Sequence, residues 1–173
     1  MTTIEMPELR TERLILRGFR PDDLEAYASM LAKPEVMRYL GTGETRTVSE
    51  TWTAMASAIG QWGMRGYGFL VLEEAETGTF VGRAGILHPY DWPGPELAYA
   101  LDQPFSGRGY ATEACLELRR WAFEDLGLPS FVSFILPENE ASKRVVRRLG
   151  ATRGADAMLF GTVVVECWHH TRP

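Results

Sequence analysis

A mixed, mostly antiparallel sheet flanked by helices, an α+β fold with one parallel strand-helix-strand crossover, is the architecture this sequence predicts. Three observations predict it. Apolar runs at 67–73 and 79–87 meet at a short turn ending in Gly78, the pattern of an antiparallel hairpin. Residues 96–149 alternate strand, helix, strand and helix, and strands joined through a helix pair in parallel. The closing segments 157–160 and 163–168 surround Gly161 and Thr162 and read as a second hairpin. At 173 residues the chain has the length of one domain. No repeat, low-complexity tract or long Pro/Ser linker divides it, so residues 1–173 are read as a single domain.

Taken in order, Leu14 and Leu16 alternate with Arg13 and Arg17, which predicts a strand over 13–19. Pro21 with Asp22 and Asp23 opens a helix to about Leu31, proline suiting the first position and acids the positive end of the dipole. A short helix over 35–40 follows. Thr47 and Glu50 have the spacing of a capping box, and Val48, Trp52, Met55, Ile59 and Trp62 repeat behind it at helical intervals. After the 67–87 hairpin come a strand over 96–101, a helix over 110–126, a strand over 131–136 and a helix over 140–149. The long helix carries Ala111, Cys115, Leu118, Ala122 and Leu126 on one stripe, and Gly127 with Pro129 ends it.

Composition removes several classes of function. Hydrophobic residues make up 45% of the chain and charged residues 24%, enough apolar material to exclude general disorder. The net charge of −5 has the wrong sign for neutralising a phosphate backbone, so no nucleic-acid partner is expected. Cys115 and Cys167 are far apart and outside any Cys-x-x-Cys spacing, which suggests neither a disulfide framework nor a zinc ribbon and fits a reducing cytoplasm. Glu5, Pro7 and Glu8 stand where a signal peptide needs an apolar run, and no stretch nears the roughly 18 apolar residues of a membrane span. A soluble cytoplasmic protein without a membrane partner is the expectation. His169 and His170 at the end of the chain read as tail residues, and no metal constellation is found. Strand edges near the C-terminus leave room for a homodimer.

The most informative stretch is Ser106-Gly107-Arg108-Gly109-Tyr110-Ala111-Thr112, between a predicted strand and the start of the long helix. Glycines let the backbone turn tightly and approach a ligand, and unpaired amides at a helix start favour an anion, so a phosphate site is one reading and a tight connection the other. A dinucleotide fingerprint would want glycine where Thr112 stands, and a phosphate-binding Gly-Lys-Ser/Thr occurs nowhere. A serine-hydrolase elbow would need glycine at Pro104.

The chain resembles the GNAT superfamily of acetyl-coenzyme A dependent N-acetyltransferases, and within it the RimJ/RimL-like branch. Thr11-Glu12-Arg13-Leu14-Ile15-Leu16-Arg17 and Pro34-Glu35-Val36-Met37-Arg38-Tyr39-Leu40 look like that branch's N-terminal signature, and residues 107–114 look like its coenzyme loop. The resemblance covers nearly the whole chain. It implies a GNAT fold, acetyl-coenzyme A as cosubstrate with no metal, and a small-molecule or peptide amine as acceptor. It further implies that the amides of Gly107, Arg108, Gly109, Tyr110, Ala111 and Thr112 hold the pyrophosphate, and that the pantetheine arm runs along the strand ending near Leu101. The family's Gln/Arg at the head of the loop is replaced by Ser106. Asn139 would contact the coenzyme by this resemblance, although asparagine is also a favoured helix N-cap.

Many relatives carry a tyrosine seven residues after that asparagine to protonate the leaving thiolate, and this chain has Val146 there. Ser142 is the alternative acid that the RimL-like branch suggests. Acetylation of an amine needs a neutral nucleophile, whereas α-amino groups and lysines are mostly protonated at neutral pH, so a general base would help. Glu96 is the candidate, because it starts the strand leading to the loop and shares a face with Ala98 and Ala100, which leave room beside it. Its other reading is an exposed strand-edge carboxylate. His88 and Asp91, before the loop Trp92-Pro93-Gly94-Pro95, are reserves. Trp52, Trp62 and Trp92 are expected to shape the acceptor pocket. The alternative to an enzyme is a catalytically silent acyl-coenzyme A binding or sensing module.

Overall fold

The computed structural model describes residues 4–172. Its strands are β1 (Leu9–Arg10), β2 (Leu14–Arg17), β3 (Phe69–Glu74), β4 (Phe80–Leu87), β5 (Glu96–Leu101), β6 (Ser130–Ile135), β7 (Thr152–Arg153), β8 (Ala157–Leu159) and β9 (Val163–Thr171). The helices are α1 (Asp23–Leu31), α2 (Pro34–Met37), α3 (Val48–Arg65), α4 (Tyr110–Glu124) and α5 (Glu140–Arg148). The sheet runs β1-β2-β3-β4-β5-β6-β9-β7, with β8 paired to β9. Every pairing is antiparallel except β5 with β6, as the crossover through α4 requires. The expected mixed α+β fold is the one observed.

Side-chain alternation sorts the core into two layers. Leu70, Leu72, Ala84, Ile86 and Leu97 pack with Ala114, Cys115 and Leu118 of α4, and Val145 of α5 joins them. On the opposite face, Phe69, Val71 and Ala100 pack with Tyr27 and Met30 of α1 and Met55 and Ala58 of α3. The capping box of α3 forms between Thr47 and Glu50. Its buried stripe is Thr51, Met55, Ala58 and Trp62, so Val48 and Trp52, expected on the apolar face, are exposed. The stripe is turned by about one position around the helix, and Met55 and Ala58 on it pack with Tyr27 and Met30 of α1.

Three further differences have local causes. β1 and β7 are too short for periodicity to announce them. α2 is shorter than expected, ending at Met37. The final strand runs on to Thr171, so His170 is fully buried rather than part of a tail. It stacks on Phe131 at 4.8 Å and meets the hydroxyl of Ser133 at 3.1 Å. Asp23, read as a helix-dipole acid, is instead buried against Arg17, whose guanidinium donates to both its oxygens at 2.9 and 2.8 Å and to Glu73 at 2.6 Å.

The parallel pair opens almost at once. β5 and β6 share a single register pair, Glu96 with Val132, where the Val132 amide donates to the carbonyl of Pro95 at 2.9 Å. A regular parallel ladder would next join the Phe134 amide to the Leu97 carbonyl. Side chains take both groups instead. The Phe134 amide donates to the carboxylate of Glu96 at 3.3 Å, and the Ser133 hydroxyl donates to the Leu97 carbonyl at 2.7 Å. Neither buried polar group is left unmet, and the strands are free to diverge.

Candidate active site

The seam between β5 and β6 opens into a cavity of about 770 Å3, within the range of small-molecule sites. Glu96, Tyr99, Asn139 and Ser142 line it, together with Trp92, His88 and Arg83. Glu96 is buried, which removes the reading of an exposed edge carboxylate. Its oxygens accept from Trp92 Nε1 at 2.6 Å and from the Phe134 amide. Burial pushes its carboxyl up to about 7, against the pull of those two donors and of the Arg83 charge. Trp92 is held in turn against Phe134 and Phe160, at ring separations of 6.2 and 5.3 Å. A carboxylate has about four acceptor sites, so two donors leave capacity for a third.

Tyr99 is the residue that sequence reasoning passed over. Its hydroxyl donates to Oγ of Ser142 at 2.9 Å, and burial holds the phenol well above its usual range. Alternation along β5 places Tyr99 with Leu97 toward α4, and Glu96 with Ala98 and Ala100 toward α1 and α3. The carboxylate and the hydroxyl pair therefore stand on opposite faces of the sheet and communicate through the seam. Strand parity is the available signal, since it sets Tyr99 on the face of β5 opposite Glu96.

Asn139 does cap α5, its Oδ1 accepting from the amide of Ser142 at 3.1 Å. The cap uses the oxygen alone, and among the described residues Nδ2 has no protein partner. His88 lines the cavity with Nδ1 at 3.0 Å from the Tyr67 hydroxyl, and burial lowers its pKa. Asp91 is exposed and outside the lining residues. Of the three expected tryptophans only Trp92 lines the cavity. Trp62 is core, tilted on Trp121 at 5.9 Å, and Trp52 is exposed.

Leu101, the last residue of β5, and residues 107–112 beyond it lie outside this cavity. Gly107 and Gly109 have φ of 77° and 86°, the left-handed region that favours glycine. Among the described residues the amides of 107–112 donate to no protein acceptor. The first turn of α4 thus presents a row of unused donors at its positive end. Parity adds a second row: the carbonyls of Pro95 and Leu97 face β6, so the backbone groups of Tyr99 and Leu101 face the same way, and β6 has diverged from them. An extended amide-bearing chain ending in a pyrophosphate fits this surface. Among the described residues, no three His, Cys, Asp or Glu side chains are grouped to hold a metal ion. No helix among them is long and apolar enough to cross a membrane.

A splayed mixed sheet with an anion-ready helix start defines an acyl-coenzyme transferase architecture. The model of the acetyltransferase (GNAT) domain matches residues 13–152, and the chain belongs to that family. It is similar to an acetyltransferase of known structure from Agrobacterium tumefaciens, at 34% identity and a TM-score of 0.86, over 99% of this chain and 98% of the other. It is 30% identical over 170 residues to FsC-acetyl coenzyme A-N(2)-transacetylase of Aspergillus fumigatus, covering 88% of this chain and 68% of that one. RimL, a ribosomal L7/L12 α-N-protein acetyltransferase solved with coenzyme A, shares the fold at 19% identity and a TM-score of 0.77, over 93% and 95% of the two chains.

Proposed function

We propose that residues 1–173 form one N-acetyltransferase domain, which transfers acetyl from acetyl-coenzyme A directly to a primary amine in a ternary complex. Acetyl-coenzyme A supplies the activated acyl group. The amides of Gly107 to Thr112 bind its pyrophosphate, the free edge of Tyr99 and Leu101 orients its arm, and Nδ2 of Asn139 adds a donor. Glu96, ionised in part at neutral pH, takes the proton of the amine. Ser142 gives its proton to the departing sulfur as Tyr99 passes one to Ser142 through the 2.9 Å hydrogen bond, and Tyr99 regains its proton from solvent as the products leave. The β5 amides stabilise negative charge as it develops. Small-molecule and peptide amines are both admissible acceptors. Two unpaired cysteines agree with action in the cytoplasm.

The observation that carries this reading is a buried carboxyl, Glu96, and a hydroxyl pair, Tyr99 and Ser142, lining one open seam. Calorimetric titration with acetyl-coenzyme A tests the cosubstrate site. Wild type should bind, and Gly109→Trp should not, since even a Cβ there would meet Arg13 Nη2 at 3.3 Å in a backbone of φ 86°. Thiol release with a panel of amines then tests the chemistry: tight binding with no acetylated product on any amine would make the chain a silent acyl-coenzyme A sensor.

A further inference from the structure

We infer that the acceptor amine also carries an acidic group, a carboxylate or a phosphate, and that Arg83 receives it. The inference rests on the acetyl-transfer reading above and names the substrate class of that site. Arg46, Arg65 and Arg83 line the cavity, and Glu96 is the only acid among the lining residues, in a chain whose net charge is −5. Two inward cations elsewhere are paired, Arg17 with Asp23 and Glu73 and Lys143 with Glu140 and Glu166, while Arg119, whose Nε is also buried without a partner, donates to the Thr171 carbonyl. None of the three cavity arginines makes an ion pair or a side-chain hydrogen bond among the described residues, and Nε of Arg83 is buried without a partner.

Arg83 is also held in place. Its guanidinium carbon lies 4.0 Å over the ring of Phe69 and 5.8 Å from that of Tyr27, so two aromatic rings hold the group in place. A planar, fixed fork is the geometry that takes an oxyanion in two parallel bonds. The strand register gives the span. Arg83 pairs with Ala100 and Leu87 with Glu96, so the two charged residues are four positions apart on adjacent strands, roughly 13 Å between backbones at about 3.3 Å per residue. Both side chains are on the α1–α3 face, and Ala98 between them leaves the space open. An amine placed at Glu96 thus has a cation within a short molecule's length. The coenzyme's own phosphates do not answer this need, because the 107–112 amides are at the start of α4, on the other layer.

The test uses matched pairs of amino acids, aminophosphates and dipeptides, each against the amine or amide that lacks the acid. Tryptophan with tryptamine and phosphoethanolamine with ethanolamine are examples. Each is titrated calorimetrically into the protein saturated with coenzyme A and assayed for acetylation. The acidic member of at least one pair should bind at least tenfold more tightly than its match. Arg83→Met should cut that preference below threefold with acetyl-coenzyme A affinity unchanged, and Arg83→Lys should keep part of it. Should Arg83→Met prove unstable, Arg65→Ala at the exposed end of α3 should still weaken the preference severalfold. A panel in which no acidic member binds better than its neutral match overturns the inference, as does a preference that survives Arg83→Met. Acid preference in binding with no turnover would uphold the anion site and remove the acetyl-transfer reading, whereas turnover favouring the neutral members would do the reverse.

Discussion

Arg13 donates from Nη1 to the carbonyl of Arg108 at 3.0 Å, tying the entrance of β2 to the glycine loop 95 residues later. The same guanidinium pairs with Glu113 at 2.7 Å and lies 4.4 Å over the ring of Tyr110. Thr11 also donates to Glu113, at 2.6 Å. The stretches 11–17 and 107–114 are thus one contiguous device, in which the N-terminal segment braces the loop whose unpaired amides suit an anion.

Removing that brace should loosen the loop more than the fold. Arg13→Ala is expected to raise the dissociation constant for acetyl-coenzyme A roughly tenfold, the worth of one or two charge-assisted hydrogen bonds. The thermal midpoint should shift by only a few degrees, since the pair is partly exposed. Calorimetry beside a melting curve checks both.

Tyr99 and Ser142 should separate from the binding residues in kinetics. Ser142→Ala is expected to lower kcat by roughly 100-fold, within the usual yield of a positioned acid, and Tyr99→Phe by about tenfold, because it only replenishes the serine. Acetyl-coenzyme A affinity should change by less than about threefold in either. Steady-state rates together with titrations decide. A Tyr99→Phe enzyme slower than Ser142→Ala would make the phenol the direct donor.

Glu96 sets a pH limb. With its carboxyl near 7, kcat/KM corrected for the acceptor's own ionisation should rise with pH through about 7 and level off above it. Glu96→Gln should lose the limb and at least about 100-fold in rate. An unchanged profile in that variant would leave His88 as the base.

The same carboxyl and His170 should pull stability in opposite directions. Glu96 keeps in the folded state a proton that the unfolded chain releases above its usual 4.5, so stability falls as pH rises from about 4.5 to about 7. His170 is lowered from 6.5 to about 4, by burial first and then by Arg119 and His169. Ser133 spends its hydrogen on Leu97, so His170 Nε2 carries the ring proton and Nδ1 is bare and unpartnered. Protonating it is unfavourable when folded, and stability rises with pH from about 4 to 6.5. Each slope is about 1.4 kcal/mol per pH unit, and between about 4.5 and 6.5 they offset. Urea midpoints of Glu96→Gln should therefore climb with pH there more steeply than those of wild type.

Asp23→Ala should be costly. It leaves the buried Arg17 with Glu73 alone, and breaking a buried pair from one side costs about 3 kcal/mol or more. Equilibrium unfolding in urea gives the number.

What the chain reveals by itself follows the range of each interaction. The glycine loop, the capping box and the limits of β5 depend on neighbours a few residues away, and all were readable. The burial of Glu96 depends on Phe134, 38 residues away, as well as on nearby Trp92, and no local pattern encodes the distant contact. Tyr99 escaped notice because its partner is 43 residues distant, on another element. Asp23 resembles an ordinary first-turn acid, since nothing in its own helix marks the guanidinium of Arg17 on β2 as its partner. His170 resembles an end of chain because no local pattern marks the continuation of β9 to Thr171.

The divergence of β5 from β6, secured by Glu96 and Ser133, makes the sheet a partition with a doorway. Under the acetyl-transfer reading, the two guests arrive from opposite rooms and touch only at the threshold. Neither must leave before the other can, so an acceptor analogue should inhibit noncompetitively against acetyl-coenzyme A. A single molecule threaded through the doorway, joining an acidic amine to the coenzyme's thiol, would be gripped from both sides at once and would draw on both affinities.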